Sequence, residues 1–239
     1  MRCEYIDHMG DDLRVANAAR VSFDKEGTYE ETEWNIRTQR VEGRISEKDQ
    51  RLIRYLSTHN HFTPFTHTSI TLRETVPIFV ARQRFKHTVG FTYNEVSRRY
   101  VDSPPEFYVP DVWRKRAENK KQGSSLEELV TELDEDTLDF GLFETTNIHS
   151  EYKRYLKYAL SFYNSLVQSG VAPEQARMVL PQSMFTSYYV TGSLAAFARA
   201  YNLRSKEDAQ KEIQELSVHW DNIIRPLFPV SWEALVVNT

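Results

Sequence analysis

Apolar and polar residues alternate through HTSITLRETV (67–76), with Ile70, Leu72 and Val76 on one side, and this period of two predicts a strand. Residues 1–8 alternate weakly and predict an edge strand. Elsewhere the period is helical. Residues 11–20 open on acids, which favour a helix N-terminus. Residues 46–58 place Leu52, Ile53 and Leu56 on one stripe behind a capping-box variant, Ser46 with Asp49. Pro77 opens a short helix over IFVARQRFKH, which runs into a loop, TVGFTYNE. VSRRYV (96–101) reads as a second strand.

The last hundred residues read as helical. Residues 148–169 carry Tyr152, Leu156, Leu160, Tyr163 and Leu166 at helical spacing. Gly170 ends that helix, and Pro173 opens a short one through Val179. Helices follow over 192–203 and 206–225, the latter with Ala209, Ile213, Leu216, Trp220 and Ile223 on one stripe. Residues 103–146 differ in composition: SPP, a basic run, QGSS, then an acidic helix over LEELVTELDEDTLD. They read as a peripheral insertion with solvated charged faces. The expected fold is mixed α/β, of the α+β type. It is a single domain over 1–239, with a small central sheet enclosed by long helices.

Composition narrows the function. The chain has 239 residues, 40% hydrophobic and 13% aromatic, enough for a packed core. A net charge of -4 argues against nucleic acid as partner. No apolar targeting segment opens the chain and no window has the length of a membrane span, so a cytoplasmic protein without a membrane partner is expected. The single cysteine, Cys3, excludes a disulfide framework, and no activating base stands beside it. HNHFTPFTH holds His59, His61 and His67, but no carboxylate or thiol at ligand spacing completes a metal site, and no metal is expected. The loop suits gripping a flat ligand instead.

Against that acidic background, ARQRFKHTVGFTYNEVSRRYVD (81–102) holds five Lys/Arg and a His but two acids. Three readings stand: a solvated basic face, a nucleic-acid patch, or a site for a phosphate and a ring. Glu95 would repel a polyanion, and Gly90 allows close backbone approach. A third segment, 177–213, is bounded by Arg177 and holds Arg204 after an apolar helix face. There is no glycine-rich dinucleotide fingerprint, no P-loop and no nucleophile elbow, so a cofactor is expected to carry any chemistry.

These segments, in this order, resemble the flavin-dependent thymidylate synthases. KHTVGFTYNEVSRRY is similar to that family's RHRxxSxNExSxRY, HNHFTPFTH to HxSPFEH, and VPIFVARQRFKH to xPIFVARQWxRH. RMVLP, NLRSKEDAQKEI and ARVSF (19–23) match in register too. Lys86, Thr88, Arg199 and Thr66 depart from the pattern, and one residue is inserted at or near Phe91. The resemblance implies a homotetramer with active sites between subunits. It implies reductive methylation of dUMP to dTMP, with FAD as cofactor, NADPH as reductant and methylenetetrahydrofolate as carbon donor. It implies no covalent enzyme nucleophile, in agreement with the missing elbow. Carried over, the dUMP set is Gln83, Lys86, Glu95, Val96, Ser97, Arg98, Arg99, Arg177 and Arg204, with Arg204 and Ser97 catalytic. The FAD set is Ser22, His61, Lys86, His87, Thr88, Asn94, Glu95, Ser193 and Arg199. The departures motivate an alternative, a dUMP-binding module that has lost catalysis.

Overall fold

The computed structural model describes residues 1–36, 40–101, 103–118, 123–133 and 147–236. The strands are β1 (Arg2–Met9), β2 (Glu31–Asn35), β3 (Arg40–Arg44), β4 (Ser69–Pro77), β5 (Phe91–Glu95), β6 (Arg114–Arg116), β7 (Ser124–Leu129) and β8 (Phe185–Gly192). The helices are α1 (Asp12–Arg20), α2 (Glu47–Thr58), α3 (Ile78–Arg84), α4 (Ile148–Gln168), α5 (Pro173–Ala176), α6 (Leu194–Arg204), α7 (Lys211–Ile224) and α8 (Pro229–Leu235). An antiparallel sheet runs β1-β4-β8-β5, and β2-β3 and β6-β7 form two separate hairpins.

The pleat sorts the sheet's side chains. Ile70, Leu72, Glu74 and Val76 of β4, and Thr186, Tyr188 and Val190 of β8, are buried on one face. Phe197 of α6, with Ile213, Leu216 and Trp220 of α7, joins them in the core. The opposite face is polar: Thr71 meets Thr191 at 2.9 Å, and Arg73 Nε donates to Ser187 Oγ at 3.2 Å. An antiparallel sheet tolerates such a face because only one side must pack.

Within the core sits an ion pair, Arg84 with Glu74, both side chains fully buried. Glu74 accepts from Arg84 Nε at 3.2 Å, Tyr188 Oη at 2.6 Å and Trp220 Nε1 at 2.9 Å. The guanidinium lies 4.3 Å from the Phe91 ring centroid and 4.7 Å from that of Trp220. Its Nη1 donates to Tyr93 Oη at 2.8 Å.

Helix starts follow their caps. Asp11 accepts from Arg14 N at 2.8 Å, Asn147 from Ser150 N at 2.9 Å and Ser193 from Ala196 N at 3.2 Å. Ser46 Oγ accepts from Asp49 N at 3.1 Å. The return arm of this capping box is altered: the Asp49 carboxylate takes the Ser46 hydroxyl at 2.6 Å and pairs with Arg20.

Several expectations are corrected. The second strand is not VSRRYV but FTYNE, five residues upstream, where a loop was expected; 96–101 form a turn. Gly90, at φ 78°, turns the chain so that β5 starts one residue later. The C-terminal hundred residues are not all helical, because β8 runs through the middle of the sheet. Its Thr-, Tyr- and Val-rich alternation is a strand signal obscured by flanking helical periodicity. Part of the expected acidic helix is strand β7, whose Ser124–Leu129 pair with Arg114–Arg116, while residues 134–139 of it lie outside the described residues. The helix expected from 206 starts at Lys211. Hairpin β2-β3 and helix α8 had no counterpart among the expected elements.

Gly192 faces Phe91 across the β8-β5 pairing. A Cβ there would overlap the Phe91 ring, and that ring is held between Arg84 and Phe197. Gly192→Ala is therefore expected to destabilise the protein by about 1–3 kcal/mol through overpacking, read as a lower midpoint in denaturant unfolding.

Candidate functional site

Two groups of polar side chains flank β5. The first lines a cleft of about 840 Å³. Strand β5 ends there, and the turn after it contributes Glu95, Val96, Ser97 and Arg98. The 3-10 turn 177–179 contributes Arg177, and β1 contributes Arg2. Glu95 Oε1 accepts from Thr186 Oγ1 at 2.6 Å, which holds the carboxylate against β8. Val96 N donates to Ser187 O at 2.9 Å, and the Arg98 guanidinium donates to Ser103 O, fixing the turn. Arg177 is exposed, with Nε 3.3 Å from Glu174 O. Three arginines against Glu95 and Glu106 leave this wall net positive, as an anion requires. Arg99 does not line the cleft; its guanidinium lies 5.2 Å from the Tyr100 ring centroid.

The second group precedes β5. The end of α3, the turn 85–90 and the end of α6 bring together Gln83, His87, Arg199 and Arg204, with Lys86 and Thr88 exposed on the same turn. Arg204 Nε donates to His87 Nε2 at 2.9 Å, and its Nη2 reaches Gln83 O at 3.4 Å. Arg199 Nη2 donates to Val89 O at 2.5 Å. A guanidinium only donates, so His87 Nε2 must be the acceptor and its proton sits on Nδ1. Burial, then the charges of Arg204, Arg84 and Arg199, lower the His87 pKa to about 4. The ring is thus a neutral member of a cationic cluster. Tyr93 Oη donates to His87 O at 2.7 Å, tying this turn to the buried Arg84. Ser193 caps α6, and its backbone N–H donates to Gly90 O at 3.2 Å, next to the same turn.

None of Gln83, Lys86, His87, Thr88, Ser193, Arg199 or Arg204 lines the cleft. One chain therefore splits the expected dUMP set into two groups. Of the remaining expected flavin contacts, Asn94 sits on β5 opposite Tyr189. Ser22 lies in the exposed 3-10 turn 21–23, and His61 lies in the exposed loop after α2, its ring 6.2 Å from that of Tyr55. Burial and the nearby Glu74 carboxylate push the Cys3 thiol well up, which removes it as a nucleophile.

Residues not singled out from sequence also belong here. Gln83 Nε2 donates to Gln210 Oε1, Gln210 Nε2 to Glu212 Oε2 at 2.9 Å, and Arg114 Nη2 to Glu212 Oε1 at 2.6 Å. Gln210 and Glu212 stand in the quoted AQKEI stretch. Their spacing signals nothing by itself, since the contact joins three distant segments.

The sequence matches the family model described as thymidylate synthase complementing protein over residues 4–230. It is 38% identical over 232 residues to the flavin-dependent thymidylate synthase of Thermosipho africanus, covering 97% of this chain and 89% of that one. It is 34% identical over 229 residues to the flavin-dependent thymidylate synthase of Thermus thermophilus, covering 96% and 73%. The crystal structure of a UMP/dUMP methylase, PolB from Streptomyces cacaoi, bound with 5-Br dUMP is similar at a TM-score of 0.74 and 28% identity, over 98% of this chain and 93% of that one.

A histidine whose pKa is lowered by folding makes stability depend on pH. Between its ordinary value of 6.5 and about 4, the unfolded chain binds a proton at His87 that the folded chain excludes. Stability contributed this way is complete above 6.5 and is lost as pH falls through that window. An NMR titration should place the His87 ring midpoint near 4. His87→Gln should remove the corresponding acid-side slope in unfolding experiments.

Proposed function

The chain belongs to the thymidylate synthase complementing protein family and is a flavin-dependent methyltransferase, and we propose that it converts dUMP to dTMP in the cytoplasm. The observation that carries this reading is the pair of anion-receptive groups at the two ends of β5, with no activated nucleophile in either. A five-residue strand is about 17 Å long. Separated in this way, the halves of the dUMP site meet by pairing one copy's cleft with another copy's Arg204 cluster, in a homotetramer.

The second group fits a flavin. Lys86, Arg199 and the Ser193-capped start of α6 supply charge and backbone donors suited to a diphosphate. With Thr88, Asn94, His61 and Ser22, they would hold FAD. Bound FAD, reduced by NADPH, supplies the reducing equivalents, and methylenetetrahydrofolate the carbon.

This chain's own residues bind, orient and polarise. Arg177 and Arg98, with the Ser97 hydroxyl and neighbouring amides, clamp the dUMP phosphate. Glu95, fixed by Thr186, positions the sugar or an attendant water. Arg99 lies outside the cleft and joins the clamp only across the interface. Uracil C5 becomes nucleophilic as negative charge develops on the ring, and Arg204 stabilises that charge in a site shielded from water. Neutral His87 spends no charge on Arg204 and orients its guanidinium by accepting at Nε2.

The substitutions at Lys86, Thr88 and Arg199 favour a second reading, a dUMP-binding module without catalysis. The visible spectrum of protein incubated with FAD and desalted separates the two. A retained flavin band, perturbed by dUMP, is the expected result. Detectable dUMP binding without retained flavin would favour the module.

Arg177→Ala and Arg204→Ala should each abolish dTMP formation while leaving the fold intact. Mixed, dissociated and reassembled, the two inactive variants should recover part of the activity, because some interfaces then pair an intact cleft with an intact Arg204. No recovery despite mixed tetramers would refute the shared site.

A further inference from the structure

The structure assigns to Glu212, anchored by Arg114, the role of a positioning residue that turns the Gln83 amide so that its oxygen faces the nucleotide as an acceptor for uracil N3–H. The inference rests on the reading of Gln83 as a dUMP contact and explains how that contact selects its base.

The argument is one of hydrogen-bond polarity. An ionised carboxylate only accepts. Glu212 is nearly buried, 4% exposed, and receives Arg114 Nη2 at 2.6 Å on one oxygen. Its other oxygen faces Gln210 at 2.9 Å, so Gln210 must turn its NH2 that way. The Gln210 carbonyl oxygen then points to Gln83, which must answer with its own NH2. Flipping either amide would set two oxygens or two NH2 groups face to face. The Gln83 oxygen is consequently directed away from Gln210. Burial raises the Glu212 pKa, but the hydrogen bonds from Arg114, its own backbone amide and Gln210 outweigh this and leave it lowered, so the carboxylate stays ionised at neutral pH.

Arg114 comes from β6 and is itself held by Ser124 Oγ of β7 at 2.8 Å. The β6-β7 hairpin thereby reaches α3 through two side chains of the α7 start. Gln83 is tied at its backbone as well, where Arg204 Nη2 approaches its carbonyl. The N3–H group is the donor that uracil has and cytosine lacks, since cytosine N3 accepts. An acceptor that the bound ring strips of water discriminates strongly against a ring that offers another acceptor.

The test compares dissociation constants for dUMP and dCMP in wild type, Glu212→Gln, Glu212→Asp and Arg114→Ala, with flavin retention and thermal melting as folding controls. Glu212→Gln keeps the shape but offers an NH2, which lets the relay invert. The expected result is a loss of dUMP affinity of about tenfold, the value of one well-placed hydrogen bond. The dCMP affinity should hold or rise, so the ratio collapses. Glu212→Asp should restore the preference in part. Arg114→Ala should shift the ratio in the same direction by a smaller factor. Equal losses for both nucleotides, or an unchanged ratio in both Glu212→Gln and Arg114→Ala, would overturn the inference. A wild-type protein that binds neither dUMP nor flavin would instead overturn the functional reading beneath it.

Discussion

A charge buried without solvent needs partners, and the Arg84–Glu74 pair draws them from most elements of this core, although Arg84 Nη2 has rings rather than a hydrogen-bond acceptor around it. Glu74 comes from β4, and its donors come from α3, β8 and α7. Around Arg84 stand rings from β5, α6 and α7. Withdrawing one partner of a buried pair costs roughly 3–5 kcal/mol, because the other charge is left uncompensated. The pair thereby ties the sheet to α3, α6 and α7 at one point. The connection passes outward through Tyr93, whose hydroxyl touches both Arg84 and the His87 carbonyl. The cluster around Arg204 is set on this platform.

The division of the residues proposed to bind the nucleotide follows from the same layout. A short β5 places the turn 85–90 at one end and Glu95 to Arg98 at the other. Both ends carry cations, although the chain as a whole is acidic. Cations are thus gathered at both ends of one short strand against a net acidic background, which is where the proposed site needs them.

Local signals were legible in the sequence where the chain's neighbours in space are its neighbours in sequence. Helix α2, its Ser46 cap and the alternation of β4 are of that kind. Strand β8 was not, because its alternation sits between helical segments and its pairing partners lie about a hundred residues away. The strand expected at VSRRYV lies instead at FTYNE, because the valines and tyrosine of 96–101 mimic a strand while Gly90 lets pairing begin earlier, at Phe91. The cations of the site were visible as a local excess of charge. That they form two groups was not, since the division depends on a sheet order, β1-β4-β8-β5, that no spacing encodes. Gln210 and Glu212 stood in a stretch matched to the family pattern, but their role was not legible there for a related reason: it lies in Arg114 and Gln83, each over ninety residues away in sequence.

The contact of Phe91 with Gly192 couples two positions that are far apart in the chain. The ring occupies the volume in which any side chain at 192 would have to begin. Neither position is free to drift by itself: a larger residue at 192 becomes acceptable only after the ring at 91 has shrunk or withdrawn. Across diverging relatives the two sites should change together, as reciprocal large and small residues. A chain that lacks a bulky residue at the start of this strand is thereby released from glycine at the end of its partner, and the pair becomes a mark of descent that can be followed without reference to catalysis.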